Sequence, residues 1–391
     1  MTGLPAILGG KPVFAQKVPI VRPALPPYAE LEEGFKEILS TGMVTRGKYL
    51  DQFERAVADH LNVRHAVAVS SCTTGLMLAY RALGLSGEVI VPSFTFMATV
   101  SALVWCGLTP VFVDVDPDTT TLDPALVENA ITPRTSAIVA VHNFGNPARI
   151  DALQDIAREH KLKLVFDAAH GFGALYQGKP VGGQGDVQVF SMSPTKLLIS
   201  GEGGVVTTND DQAATMVRIG REYGNDGSYD TIFPGLNARL PEMSALLGLN
   251  SLKDLEKAAL ARNQSAALFM DLLGGCPGIG FQQIQPGDRS SYREFSITID
   301  SHQFGLSRNR LAEALLRENI DIRKYYDPPV HQQTAYRGYY TGQPLPHTDW
   351  LASNSLSLPM WSNISPEIVQ QIAAAILNLH EHASSISQIK S

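Results

Sequence analysis

VQVFSMSPTKLLISGEGGVVTTN, residues Val187 to Asn209, decides how the rest of the chain is read. A short apolar run (Val187, Val189, Phe190) gives way to a polar turn, Ser191 to Thr195, and then to Lys196. Behind the lysine stand Leu197, Leu198 and Ile199, the glycine turn Gly201-Glu202-Gly203-Gly204, and a second run, Val205 to Thr208. The pattern predicts two strands with a lone lysine in the connection and a hydroxyl five residues before it. An amine so placed reads as a nucleophile beside an anion site. Most isolated lysines are solvated surface charges, so residues elsewhere in the chain decide between the two.

Upstream, strands and helices alternate. Short, continuously apolar, valine-rich segments at His65–Ser70, Glu88–Pro92, Pro110–Val115, Ser136–His142 and Lys163–Asp167 join Val187–Phe190 and Gly204–Thr208. Strands of this kind are buried on both faces. Helical patterns between most of them predict crossovers and a single open α/β sheet of seven strands, mainly parallel and flanked by helices. Ligands of such sheets bind at the carboxyl ends of the strands. Before the sheet come a Gly/Pro-punctuated arm (residues 1–25) and helices at Ala29–Leu39 and Tyr49–Leu61. After Thr208 the pattern shifts to helices at Asp211–Tyr223 and, as one long element, from Pro241 towards Leu273. A smaller C-terminal α+β domain follows, with strands near Glu294–Ile299 and Ile320–Lys324 and helices at Ser307–Glu318 and Pro366–His380. The expected division is an arm (1–25), a large domain (26–255) and a small domain (256–391).

The 391 residues, 44% of them apolar, suffice for two cores. A net charge of -7 argues against nucleic acid and acidic membranes as partners. Cys72, Cys106 and Cys276 are odd in number and widely spaced, which predicts neither disulfides nor a metal pair and points to the cytoplasm. The N-terminus lacks the pattern of a signal peptide, and no apolar run is long enough to span a bilayer.

Asp167 ends one predicted strand and opens Ala168-Ala169-His170-Gly171. A carboxylate there faces the ligand crevice and could hold a protonated pyridine nitrogen, keeping the ring an electron sink. A loop cap or a metal ligand competes, but no histidine or carboxylate cluster stands at metal spacing beside Asp167, so no metal is expected. Ser70-Ser71-Cys72-Thr73-Thr74-Gly75 opens a helix and forms either an anion site or a plain N-cap. Ser191 would reach the same anion, and Phe96 either stacks on a flat ring or belongs to the core. The Gly173 to Lys179 stretch has P-loop spacing, but Pro180 stands where a magnesium-binding hydroxyl is required. Taken together, these residues point to pyridoxal phosphate held covalently by Lys196.

The ordered segments SSCTTGL, VPSFTFMAT, PVFVDVDPDT, VFDAAHGFGA, FSMSPTKLLISGEGG and GLNARLPEMSALLGL closely resemble the DegT/DnrJ/StrS family of pyridoxal-phosphate sugar aminotransferases, over roughly residues 25 to 380. The resemblance implies the type I fold of the aspartate-aminotransferase superfamily, in a homodimer with shared active sites. It also implies transfer of an amino group from glutamate or glutamine to a nucleotide-linked keto-deoxysugar, with a keto-cyclitol as the alternative acceptor. A sugar dehydratase or a non-catalytic regulator on the same fold would be expected to lack Lys196 or Asp167. On matching positions Lys196 is similar to the Schiff-base lysine, Asp167 to the partner of the ring nitrogen, and His170 to a residue over the ring. Phe96 is similar to the stacking aromatic, and Thr73, Thr74 and Ser191 to phosphate ligands. Asn237 resembles a residue that reaches the phosphate from the neighbouring subunit. Arg239, Tyr325 and His331 are the substrate candidates, with Arg239 and Arg323 for the donor carboxylate. Where many relatives read Ser-Phe-His before the lysine, this chain has Ser191-Met192-Ser193; the resembling keto-cyclitol enzymes also carry a methionine there and a similar SGEGG.

Overall fold

The computed structural model describes residues 3–389; the first two residues of the arm and the last two of the chain lie outside the described residues. Among the described residues seven strands form the main sheet, in the order β1-β9-β8-β5-β4-β2-β3. They are β1 (His65–Val69), β2 (Glu88–Pro92), β3 (Thr109–Val113), β4 (Thr135–Val141), β5 (Lys163–Asp167), β8 (Val187–Ser191) and β9 (Gly204–Thr208). A small hairpin, β6 (Leu175–Tyr176) and β7 (Lys179–Pro180), occupies the stretch with P-loop spacing. Pairing is parallel from β3 through β2, β4 and β5 to β8, while β9 runs against both β8 and β1.

Alternation along the strands explains their continuous apolar character. Val67, Val89, Val139, Val165 and Val189 project into one core, under the helix Cys72–Ala82. Ala68, Ile90, Ile138, Leu164 and Phe190 project into the core on the other face. Both faces are covered, as a sheet with crossover helices requires. The helix Cys72–Ala82 lies close on the sheet because Gly75 has no side chain: a Cβ there would stand 2.7 Å from Val189 Cγ1.

The C-terminal part builds its own core around an antiparallel sheet, β10 (Ile279–Phe281), β11 (Phe295–Ile299) and β12 (Ser355–Leu358). Two expectations are corrected here. The segment Ile320–Lys324 is no strand: it makes isolated bridges from Ile320 to Val18 and from Arg323 to Ser357, and β12 takes the place in the sheet. The long helix from Pro241 is two helices, Glu242–Lys253 and Leu255–Leu273, separated at Asp254, whose backbone (φ -98°, ψ 3°) leaves the helical path. Leu255 and Ala259 of the second helix pack with the main sheet, whereas Ala266, Phe269 and Leu273 pack with the small one. The N-terminal arm docks on the small sheet's core of its own chain. Glu318 accepts the Ala6 and Val13 N–H groups at 2.7 and 2.9 Å, and Val18 enters that core.

Candidate active site

Strand register brings the chemistry to one edge of the sheet. Asp167, the last residue of β5, lies opposite Val189 of β8; Ser191 ends β8 opposite Gly204, and Gly204 also faces Val69 at the end of β1. Asp167 and Ser191 share the parity of Val165 and Val189, so both project to the face covered by the helix Cys72–Ala82. Because β9 runs in reverse, its first residue meets the carboxyl ends of its neighbours. Gly204 is required at that meeting, since a Cβ would lie 2.7 Å from the Cys72 nitrogen.

At this edge opens a cavity of about 350 Å³ whose wall includes Ser71, Cys72, Thr73, Phe96, Asp167, His170, Ser191 and Lys196. Lys196 is anchored by the three residues behind it: Leu197, Leu198 and Ile199 are buried, and the Ile199 N–H donates to Ser251 Oγ at 3.0 Å. Its side chain lines the cavity, and burial, reinforced by the Arg293 charge, brings its pKa down to about 7. A large share of such amines is uncharged at neutral pH, the form that attacks a carbonyl.

Asp167 is 4% exposed. Its Oδ2 accepts from Thr99 Oγ1 at 2.7 Å and its Oδ1 from the Ala169 N–H at 3.0 Å, with the Cys72 thiol 3.9 Å from Oδ1. Burial raises its pKa more than these donors lower it. It has no cationic partner among the described residues. His170 is neutral, its pKa pushed well below the ordinary value by burial first and then by the Lys196 charge. Its Nδ1 is buried without a partner among the described residues.

Ser71 caps the helix Cys72–Ala82: its hydroxyl accepts the Thr74 N–H while the Thr74 hydroxyl accepts the Ser71 N–H. Thr74 is thereby engaged in the cap and is not part of the cavity wall. The N–H groups of Cys72 and Thr73 remain without acceptors among the described residues, at the positive end of the helix.

The remaining sequence candidates fall in different places. Phe96 is 50% exposed and lies on the cavity rim. Tyr325 lines the cavity, but His331, six residues on, is buried elsewhere, its Nδ1 2.7 Å from Ser93 Oγ and its Nε2 3.4 Å from Asp349. Asn237 is exposed, and Arg239 pairs with Glu222 at 3.0 Å over the Tyr223 ring; neither belongs to the cavity of its own chain. Arg323 is bonded to Asp321 at 2.9 Å and is likewise off the cavity. Met192 is fully buried in the core, so Ser193 is the member of the Met-Ser pair that meets the cavity.

Three residues escaped the sequence reading: Thr99, Arg293 and Glu294. Thr99 stands one residue into the helix Ala98–Trp105, and its hydroxyl takes part in a relay from Thr95 Oγ1 (3.1 Å) to Asp167. A Thr-x-x-x-Thr spacing just past a strand end was the available signal. Arg293 and Glu294 come from the segment leading into β11, where only their adjacency to a predicted strand was legible.

A buried acid without a cationic partner, a lysine whose pKa is brought down to about 7 and two free N–H groups on one wall suit a pyridoxal-phosphate enzyme. The phosphate fits Thr73, Ser191 and the helix N-terminus, the ring nitrogen fits Asp167, and the aldehyde carbon fits Lys196. Residues 28–377 match the model of the DegT/DnrJ/EryC1/StrS aminotransferase family, and the chain belongs to that family of pyridoxal-phosphate-dependent enzymes. It is 35% identical over 369 residues to the dTDP-4-amino-4,6-dideoxy-D-glucose transaminase of Escherichia coli, covering 92% of this chain and 98% of that one. With the dTDP-3-amino-3,4,6-trideoxy-alpha-D-glucose transaminase of Streptomyces venezuelae it shares 37% identity over 351 residues, 88% of this chain and 91% of the other. The crystal structure of DesI with its TDP-sugar product superposes with a TM-score of 0.91 at 38% identity, covering 97% of this chain and 96% of that one. The protein is therefore an aminotransferase with the fold expected from its sequence. Among the described residues no helix is long and apolar enough to cross a membrane.

Proposed function

We propose that this aminotransferase moves an amino group from glutamate or glutamine to a nucleotide-linked keto-deoxysugar, as a homodimer in the cytoplasm. The observation that carries the chemistry is the single cavity that joins Lys196, Asp167 and the N-terminus of the helix Cys72–Ala82. Bound pyridoxal phosphate supplies an electron sink for the carbon that gains or loses the amino group. Asp167 keeps a proton on the ring nitrogen through a charge-assisted hydrogen bond, with Thr99 fixing the carboxylate's orientation. Lys196 Nζ accepts the proton from the α-carbon of the amino donor and, in the return half, delivers one to the keto carbon of the acceptor. The neutral His170 adds no positive charge at the ring.

The acceptor class is supported by the relatives, whose names specify dTDP-linked amino sugars. A cytoplasmic setting is supported by three free cysteines. The test uses purified, cofactor-loaded protein. Incubation with L-glutamate or L-glutamine is expected to convert the aldehyde form to the pyridoxamine form, seen by absorbance, and addition of a dTDP-linked keto-deoxysugar to reverse it with an aminated sugar detected by mass. Absence of any pyridoxamine form would sink the aminotransferase reading for these donors. Preferential amination of a keto-cyclitol would replace the acceptor class alone.

A further inference from the structure

Arg262 and Arg293 are both buried, 2% and 6% exposed, beside a single carboxylate, Glu294. Arg262 donates Nη1 to the main-chain oxygens of Tyr292 and Arg293 at 3.2 and 3.3 Å, and Nε to Ser362 Oγ at 3.1 Å. It thus pins the strand-entry segment that presents Arg293 and Glu294 to the cavity. Arg293 Nη1 donates to Glu294 Oε1, its only acceptor among the described residues, and Nε is buried with no partner. Two guanidiniums against one carboxylate leave an uncompensated charge. Its effect reaches Arg262, whose pKa is lowered to about 9 by burial first and by Arg293 second. Buried positive charge in excess of its one carboxylate calls for a further anion. The other anion-seeking features of the cavity are already assigned, the helix N-terminus to a phosphate and Asp167 to a ring nitrogen.

We propose, on the aminotransferase reading above, that the free Nε–Nη2 edge of Arg293 binds the carboxylate of the amino donor, while Glu294 on Nη1 holds the fork in place. A guanidinium offers two parallel donors along that edge, matched to the two oxygens of a carboxylate. Glu294 need not leave, because it occupies a different nitrogen. The site also couples binding to chemistry. Arg293 is the cation that most depresses the basicity of Lys196, and a carboxylate seated on it offsets that field. Lys196 becomes a stronger base as the substrate whose proton it takes arrives.

The experiment reads donor and acceptor half-reactions separately in cofactor-loaded protein. Arg293→Gln is expected to weaken the apparent affinity for L-glutamate by about 100-fold. The keto-sugar half-reaction, started from the pyridoxamine form, is expected to keep its apparent affinity for the keto-sugar within about 3-fold of the parent, while its pH profile moves with Lys196 as the Arg293 charge is lost. Arg293→Lys, which keeps the charge and loses the planar fork, falls between them. The double variant Arg293→Gln/Glu294→Gln removes the stranded carboxylate and is expected not to restore donor affinity. Glutarate, used as a carboxylate probe in calorimetry, binds the parent holoenzyme and not Arg293→Gln. It also shifts upward the pH midpoint of Lys196 labelling by an amine reagent in cofactor-free parent protein. Unchanged donor affinity in Arg293→Gln, restored affinity in the double variant, or an equal loss of apparent affinity for the keto-sugar overturns the assignment. Parent protein that binds glutarate through Arg293 but forms no pyridoxamine with any amino acid would overturn the transaminase reading and leave the carboxylate site standing.

Discussion

Lys196 and Asp167 are displaced from their ordinary ionisation in opposite senses, and each displacement has a measurable consequence. A folded pKa near 7 for Lys196 means that the free amine grows about tenfold per pH unit below that value and levels off above it. Loading of cofactor-free protein with pyridoxal phosphate, trapped by borohydride and counted by mass, is expected to follow that curve. A rate still climbing tenfold per unit between pH 8 and 9 would contradict it. For Asp167 the folded pKa is raised, so the native state binds more protons than the unfolded chain between about 3.8 and the raised value. The stability linked to this group is present at low pH and is lost as pH rises through the folded pKa. Asp167→Asn removes that cost, and the cofactor-free variant is expected to be at least as stable as the parent at pH 7 in urea. With Asp167 holding the ring nitrogen as proposed, the same substitution is expected to lose a charge-assisted bond, about 3 kcal/mol or about 100-fold in kcat. A variant both less stable and fully active would reverse both inferences.

Among the elements, the helix Lys48–Leu61 shows how far apart in sequence a local structure and its support can lie. Its N-cap position is Gly47, which has no side chain to offer. The orphan N–H groups of Gly47, Tyr49 and Leu50 are taken instead by the Glu242 carboxylate, at 3.0, 2.9 and 2.9 Å, from the first residue of another helix. Glu242 is 1% exposed, so its removal leaves buried donors unpaired. Glu242→Ala is expected to cost about 2–4 kcal/mol in urea unfolding and to speed hydrogen exchange at the start of Lys48–Leu61, with Glu242→Gln intermediate. Exchange unchanged in that turn would show that the cap contributes nothing. The contrast explains what the sequence could reveal. The strands announced themselves because two-sided burial leaves unbroken valine-rich runs, and Asp167 and Lys196 stand directly at the ends of such runs. Thr74 looked like a phosphate ligand because a capping hydroxyl and an anion-binding hydroxyl have the same residue type at the same helix start. His331 followed Tyr325 along an irregular segment with no period to show that the two part company, one to the cavity and the other to Ser93. Arg293 and Glu294 were invisible because a charged pair beside a strand is normally solvated, and their burial depends on Arg262 and β11 closing around them.

At the scale of the whole molecule, the exposed face around residues 223–232 raises the question of a second copy. Tyr229 is 96% exposed there, Ile232 and Tyr223 are about half exposed, and Met43 and Val44 are exposed to a similar degree. Asn237 is exposed as well and does not line its own chain's cavity. Isologous pairing in a dimer would cover such a face and let Asn237 reach the other chain's cofactor phosphate. The first expectation is a sedimenting mass of twice 42.3 kDa. A complementation experiment then tests the sharing itself. Lys196→Ala removes the amine, and Asn237→Asp places a negative charge against the phosphate, so each homodimer is expected to be inactive. In a hybrid of the two, one cavity combines an intact Lys196 with an intact Asn237 from the other chain, while the second cavity carries both lesions. Random exchange makes about half of the dimers hybrids, each with one working site of two, so unfolding and refolding a 1:1 mixture is expected to recover about a quarter of the parent activity. If Asn237 instead served its own chain, every cavity in every hybrid would hold one lesion and the mixture would stay dead.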